Sequence, residues 1–511
     1  MTSSQPTRVT GAWWTELNRY HWFVLVVAAL GWLFDTMDQQ LFNLARVPAM
    51  KALLKPGDDV ALYSGYATAI FLLGWATGGL TFGVLGDRIG RAKTMMWTIL
   101  IYSICTGLSA LSSGFWDFAF FRFLTGLGVG GEFAVGVSLV AEVMPDRARP
   151  HALGLLQALS VVGNVSAALI SMGLGRLEES GAVGSAWRWM FVIGALPAFL
   201  ALLIRSRLQE PDRWKAAAAA PAKKGASLGS YAELFGNDKW QRPAFLAAGF
   251  IVAIVAVAFF GGAGLPKLKI GIVLAAGALA AGLWSVFGGQ GDTRWRRRAV
   301  VGLLLALSGI IGLWGIGFFT IDLMRSVFTK AFLAEGMDPA RVPGAVTFWA
   351  GVTSIMINVG AFPGIASFSY LSQRLGRRPT FALSFVAAML STAMVFLFFK
   401  DRSQVFWMIP IMGFCQLSLF GGYAVYFPEL FPTRLRSTGI SFCYNVGRFA
   451  AASGPAVLGL LTSEVYKDQP EPMRYAGVTM CGIFLLGLMV LPFAPETKGQ
   501  PLPEEEKGFA H

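Results

Sequence analysis

Charge is scarce in this chain. Only 14% of its 511 residues are Asp, Glu, Lys or Arg, against about 25% in water-soluble domains, which excludes an ordinary soluble fold. Histidine is rarer still. His21, His151 and His511 are scattered without ligand spacing, so no metal centre is expected. The four cysteines, Cys105, Cys415, Cys443 and Cys481, each fall inside an apolar run. A thiol there behaves as a small hydrophobe, and no disulfide is expected. A cleavable leader is not expected either, because the first apolar run starts near residue 22 and is interrupted by Asp35 and Asp38. Gly83–Thr94 holds glycines, a lysine and a threonine, but the order Gly86-x3-Gly90-x2-Lys93-Thr94 is not that of a phosphate loop. It also lies between two apolar runs rather than after a strand. With no nucleotide motif, metal cluster or nucleophile–base constellation, neither a cofactor nor enzymatic chemistry is expected.

What the chain does have is apolar length. Hydrophobic residues make up 55%, and the 60 glycines suit helices that pack in a membrane. A bilayer-crossing helix needs roughly 20 such residues. Six runs of that kind are expected near 22–44, 61–84, 94–112, 116–141, 152–174 and 188–204. A polar linker follows at 205–242, then eight more runs near 243–262, 265–288, 299–323, 345–371, 379–399, 404–427, 437–462 and 474–493. The expectation is therefore an all-α membrane protein with fourteen spanning helices. Residues 1–21, with Trp13, Trp14, Arg19 and Tyr20, read as an interfacial lead-in, and 494–511 as a polar tail.

The net charge of +13 would suggest nucleic acid in a soluble protein. Here the basic residues cluster in inter-helix loops, the arrangement expected of loops retained in the cytoplasm. Both termini are then cytoplasmic, which requires an even number of spans, in a plasma membrane or bacterial inner membrane.

The sequence also repeats itself. Arg88-Ile-Gly90-Arg91 returns as Arg374-Leu-Gly376-Arg377, and Glu142-x2-Pro145-x-Arg147-x-Arg149 returns as Glu429-x2-Pro432-x-Arg434-x-Arg436. Thr36-Met-Asp38 is echoed by Thr320-Ile-Asp322, all three at offsets of 284 to 287. Two equivalent six-helix bundles are expected, 22–204 and 289–493, related by a pseudo-twofold repeat. The runs at 243–288 have no echo and read as an inserted hairpin.

Ionisable residues inside apolar runs are costly, about 2.5–3.5 kcal/mol each on insertion scales, and usually face a cavity. Asp35 and Asp38 lie roughly 14 and 9 Å from the outer end of the first run, and Arg122 roughly 9 Å into the fourth from the same side. A carboxylate and a guanidinium at matched depth can exchange a proton with the aqueous phases as their pairing changes. They can also act simply as an ion pair fixing two helices. Glu132 lies deeper on the fourth run beside Gly126-x3-Gly130, a packing face. Arg448, near the midplane with Tyr444 and Asn445 just before it, is the candidate for holding a carboxylate, since arginine engages such groups bidentately. Its alternative partner is Asp322. Gln39, Gln40, Asn43, Gln157, Asn164, Asn358, Gln416, Tyr423 and Tyr426 are candidates to line the cavity, or else bond helix to helix.

Several of these motifs resemble the major facilitator superfamily. Gly83-x2-Gly86-Asp87-Arg88-x-Gly90-Arg91-x-Lys93 is similar to its loop between helices 2 and 3. Arg122-x3-Gly126-x-Gly128-x-Gly130-Gly131-Glu132, Pro428-Glu429-x-Phe-Pro432-Thr-Arg434-x-Arg436 and Pro495-Glu-Thr-Lys-Gly499 resemble its metabolite:proton symporters and sugar porters. The extra hairpin, Asp35-x2-Asp38 and Tyr444-Asn445 are most similar to the fourteen-helix sialate:proton symporters. The resemblance implies proton-coupled uptake of a small organic acid or sugar acid by a monomer, with a neutral-sugar porter, an uncoupled uniporter or a non-transporting sensor as alternatives. It places Asp35 at the proton position with Arg122 as its partner. It also makes Gly83, Asp87, Arg88, Gly90, Arg91, Glu142, Arg147, Arg374, Arg377, Glu429, Arg434 and Arg436 a cytoplasmic gate. The second copy departs from the pattern: Gln373 stands where the first has Asp87, and Ser367 and Ser369 replace glycines.

Overall fold

The computed structural model describes residues 12–58, 60–179, 182–220, 227–260, 265–339, 342–451 and 461–503, and among these there is no strand. The first group of helices is α1 (Arg19–Leu53), α2 (Val60–Ile89), α3 (Arg91–Ser109), α4 (Phe115–Val143), α5 (Arg149–Ala158) and α6 (Ser160–Glu179), α7 (Ala186–Gly194) and α8 (Ala198–Arg207). Two linker helices follow, α9 (Asp212–Ala219) and α10 (Tyr231–Phe235), then an apolar pair, α11 (Gln241–Phe260) and α12 (Leu265–Phe287). The last group is α13 (Arg294–Ile310), α14 (Phe318–Ala334), α15 (Val342–Leu375), α16 (Arg377–Phe398), α17 (Met408–Leu430), α18 (Arg436–Ala451), α19 (Pro472–Met480) and α20 (Ile483–Val490). A π-type stretch, Ile311–Gly317, joins α13 to α14. Among the described residues, eight helical segments are long and apolar enough by themselves to cross a bilayer. Ala186–Leu200, Gln241–Ile254 and Val273–Phe287 are apolar but shorter. Part of the apolar run expected at 437–462 lies outside the described residues, as do 504–511 of the tail.

Glycine sets how closely the helices pack. On α2 and α4, Gly74, Gly78, Gly126 and Gly130 each face main-chain atoms of the opposite helix. On α15 and α17, Gly360, Gly364 and Gly413 do the same. A Cβ at any of these positions would strike a neighbouring carbonyl, so only glycine allows these backbone approaches. Contacts run mainly within α1–α8 and within α13–α20, and the two groups meet along α2 and α4 against α18, and α5 and α6 against α15 and α17. The α11–α12 pair packs chiefly on itself and leaves Phe245, Val252, Val273 and Leu279 exposed.

One expectation needs correction. The connector between the second and third runs is a single residue, not a loop over Gly83–Thr94. Helix α2 continues to Ile89 and α3 starts at Arg91. Gly90 turns the chain alone at φ +113°, a conformation that costs an L side chain dearly. Gly376 does so at φ +104° between α15 and α16. Gly83 is thus a helical residue, packed against Ser441 of α18.

Candidate functional site

One polar layer crosses the interface between the helix groups, and a second lies largely within the group α1–α8. The first lies at the end carrying Gly90 and Gly376, termed here the basic end. The Asp87 carboxylate accepts hydrogen bonds from the backbone N–H of Ser437 (3.1 Å) and Thr438 (2.8 Å) and from the Thr438 hydroxyl (2.6 Å). It therefore caps the N-terminus of α18, where unpaired N–H groups and the helix dipole favour an anion. Arg91 lies 2.9 Å from both Asp87 and Glu142, and Arg436 reaches the same Glu142 oxygen at 2.8 Å. Arg91 also donates to the Thr433 carbonyl at 2.6 Å. All four of these charged side chains are buried, and the network joins α2, α3 and α4 to α18. Gly79, Gly83 and Gly86 form the face of α2 that lets α18 come this close.

Other residues expected in the gate lie apart from this network. Arg377 clasps Glu429 within the second group (2.7 and 3.0 Å), and Thr497 donates to the same carboxylate at 2.6 Å. Arg88 donates to the Leu228 carbonyl of the linker, Arg147 pairs with Glu16 at 2.9 Å on the surface, and Arg374 sits over the Tyr370 ring. Arg434 pairs with Glu233 on α10. The linker thereby touches both groups, since the Tyr231 hydroxyl also donates to Leu80 of α2 and the Gly229 N–H to Arg434.

Sequence reasoning missed two carboxylates here. Glu210 accepts from the N–H groups of Ala92 and Lys93 at the start of α3, and Glu496 from those of Arg377 and Arg378 at the start of α16. A signal was present: the two are 286 residues apart, the offset of the repeated loops. For Glu496, burial raises the carboxyl pKa, but the donated N–H groups of Arg377, Arg378 and Lys498 outweigh it and hold the group below its ordinary value.

The second layer is deeper. Arg122 faces Asp38 at 3.8 Å, while the Thr106 hydroxyl donates to Asp38 at 2.8 Å and Arg122 donates to the Ser109 hydroxyl at 2.7 and 3.1 Å. The Phe191 ring lies 4.6 Å from the guanidinium. The pairing implied by resemblance, Asp35 with Arg122, is therefore not the one found. Asp38 shares the depth of Arg122, whereas Asp35 lies most of a turn further in. Both Asp35 oxygens are buried with no hydrogen-bond partner. Asp35 lies instead within electrostatic reach of Glu132, Asp38 and Arg448. Glu132 accepts from the Thr98 hydroxyl at 2.7 Å, its other oxygen is unpartnered, and Gly31 of α1 leaves it room.

Across the interface, Arg448 of α18 is held through Nη1, which donates to the Tyr444 carbonyl (3.1 Å) and the Asn445 side chain (2.8 Å). Two rings lie against its guanidinium, Trp75 at 4.0 Å and Tyr444 at 4.4 Å. Among the described residues no carboxylate forms a salt bridge with it. The Asp322 side chain lies outside the described residues. Tyr444 stacks on Phe133 at 4.1 Å, and Phe133 packs on Trp32 at 4.8 Å. None of these three partner rings stood out in the sequence, because aromatic residues in an apolar run carry no mark of their neighbours.

The candidate lining residues are largely engaged with the protein. Asn445 donates to Ser441 and to the Gly130 carbonyl, Asn164 to Asn358 across the interface, and Asn43 to Gln40. Gln416 donates to Thr392. The Tyr423 and Tyr426 hydroxyls donate to the Leu305 and Pro495 carbonyls. Gln39 and Gln157 are buried.

This geometry can be set beside known proteins. The family model of the Major Facilitator Superfamily matches residues 28–358 and again 342–510. The chain belongs to that superfamily. It is a multi-pass membrane transporter of metabolites, and not an enzyme. It is similar to the cis,cis-muconate transport protein of Acinetobacter baylyi, 25% identical, with 83% of this chain and 88% of that protein covered. The sialic acid transporter NanX of Escherichia coli is 23% identical over 87% of this chain and 88% of its own. Among solved structures, a proton:xylose symporter, XylE, superposes with a TM-score of 0.67 at 18% identity, covering 94% of this chain and 98% of that one. That likeness shows the fold alone.

Proposed function

We propose that this facilitator-superfamily transporter takes up a small organic acid together with a proton by alternating access. Arg448 binds the carboxylate of the substrate, and Asp35, Asp38 and Glu132, with Arg122, carry the proton. The observation behind this reading is the pairing of opposites on the two sides of one interface. Apart from Glu142 at the basic end, three buried carboxylates stand on α1 and α4, only one of them against an arginine, and an arginine with no described acid partner stands on α18. Buried charge left so is expensive unless something else completes it. A proton completes the acids and a substrate anion completes the arginine. Two relatives transport acids by name, muconate and sialic acid, which agrees with the choice of an anion.

In this reading the chain has fourteen spans. The bundles are 22–204 and 289–493, and the hairpin 243–288 is inserted after the linker 205–242. The interfacial N-terminus, 1–21, and the tail, 494–511, lie in the cytoplasm of a plasma membrane or bacterial inner membrane. The basic end is then the cytoplasmic end, and the Asp87–Arg91–Glu142–Arg436 network is the gate that shuts it. The protein acts as a monomer.

The test is acid uptake into proteoliposomes with and without an inward proton gradient, in the wild type and in Asp35→Asn and Asp38→Asn. The expected outcome is gradient-driven accumulation that either variant uncouples while leaving exchange intact. Uptake indifferent to the gradient and to both variants would defeat the coupling. Binding of a neutral sugar with no response to any acid would defeat the role of Arg448.

A further inference from the structure

The rings around Arg448 say more about the substrate than its charge does, taking the anion reading above as the starting point. Trp75 and Tyr444 both lie against the guanidinium, Tyr444 in turn stacks on Phe133, and Trp32 packs on Phe133 at a tilt. Tyr444 and Arg448 belong to α18, whereas Trp75, Phe133 and Trp32 belong to α2, α4 and α1. The stack therefore crosses the interface that must part for access to alternate. Parting it separates Tyr444 from Phe133 and leaves two ring faces beside the arginine. A flat, conjugated body restores stacking on such faces, and a puckered or hydroxylated one does not.

The polar side chains nearby argue the same way. A polyhydroxylated acid needs several free donors and acceptors, because hydroxyls buried without partners weaken binding. The amide nitrogens of Asn445, Asn164, Asn358 and Gln416 already donate to protein acceptors. Among the described residues the hydrogen bonds of Arg448 run through Nη1, which makes its Nε–Nη2 edge the side for a carboxylate to engage.

We infer that the site selects planar, conjugated or aromatic carboxylates over saturated and polyhydroxylated ones, with Arg448 taking the carboxylate and the Tyr444–Phe133–Trp75 rings taking the plane.

The experiment measures half-saturating concentrations for thermal stabilisation of the purified protein by benzoate, cyclohexanecarboxylate, N-acetylneuraminate, benzamide and xylose. Benzoate and cyclohexanecarboxylate share charge and approximate size and differ in planarity. The expected result is benzoate at least about fivefold tighter than cyclohexanecarboxylate and than N-acetylneuraminate, with benzamide and xylose inert. Tyr444→Leu should erase the benzoate preference, and Tyr444→Phe should keep it; this ratio is insensitive to a general loss of stability. Cyclohexanecarboxylate or N-acetylneuraminate binding as tightly as benzoate would overturn the planar preference and leave the anion reading standing. Xylose or benzamide matching benzoate, or no response to any of the five, overturns both.

Discussion

The two copies of the repeated loop share a sequence and do different jobs. In the first, Asp87 reaches across to cap α18, and Glu142 is held by Arg91 and by Arg436 from the opposite group. In the second, Gln373 replaces Asp87 and its amide nitrogen is buried without a partner. Glu429 is taken by Arg377 and Thr497 of its own group, and Arg149, the counterpart of Arg436, turns back to Asp146. The reason is visible at the helix that each loop faces. Ser437 and Thr438 offer N–H groups to Asp87, but Pro150 occupies the position equivalent to Ser437 and has none to offer. An acid at 373 would find half a cap. The first copy thus bonds across the interface between the groups, whereas the second bonds within its own group.

That contrast can be broken at its strongest point by Glu142→Gln. Two buried arginines then lose their shared carboxylate, a cost of about 3–5 kcal/mol charged almost wholly to the closed basic end. Spin labels at positions 93 and 375 should report a longer distance at that end; an unchanged distance distribution would show that the network does not hold the groups together. Glu429→Gln is the matching change in the second copy. It should lower thermal stability by about 2 kcal/mol without altering the 93–375 distance, and a lengthened distance would erase the distinction between the copies. Glu233→Gln removes the linker's bond to Arg434, which is only partly buried, so about 1 kcal/mol is expected. It should open the basic end slightly and in the same direction as Glu142→Gln. Separate effects of the two variants when combined would place the linker outside the network.

The smallest effect concerns pH. Glu496 has a folded-state pKa held below its ordinary value of 4.5 by N–H donors at the start of α16. The stability it adds is fully present above the unfolded value and is lost as pH falls through the folded one. Thermal stability below about pH 5 should therefore fall slightly less steeply in Glu496→Gln than in the wild type. Identical slopes would mean that the cap contributes nothing.

Much of this was legible in the chain. Runs of apolar residues mark helices because their length is imposed by the bilayer, and the echoes at 88 and 374 and at 142 and 429 fall at the ends of helices. Depth along a helix is also readable, and it left Asp35 and Asp38 both open; family resemblance put Asp35 with Arg122, whereas the structure sets Asp38 against it. What could not be read was partnership across the interface. Arg436 and Arg149 look alike in sequence, yet one crosses to Glu142 and the other folds back. Tyr423 and Gln416 look like cavity residues, yet their polar groups are spent on Leu305 and Thr392.

The sequence by itself determined that this is a helical membrane protein with acids and arginines sunk in its apolar runs, since composition and periodicity are properties of single segments. Only the tertiary structure decided which charges meet, that Trp75 and Tyr444 lie against Arg448, and that one loop of two bonds across the interface between the groups. Those outcomes depend on distances between residues hundreds of positions apart, and such distances are set by how closely glycine faces such as Gly79, Gly83 and Gly86 let whole helices approach.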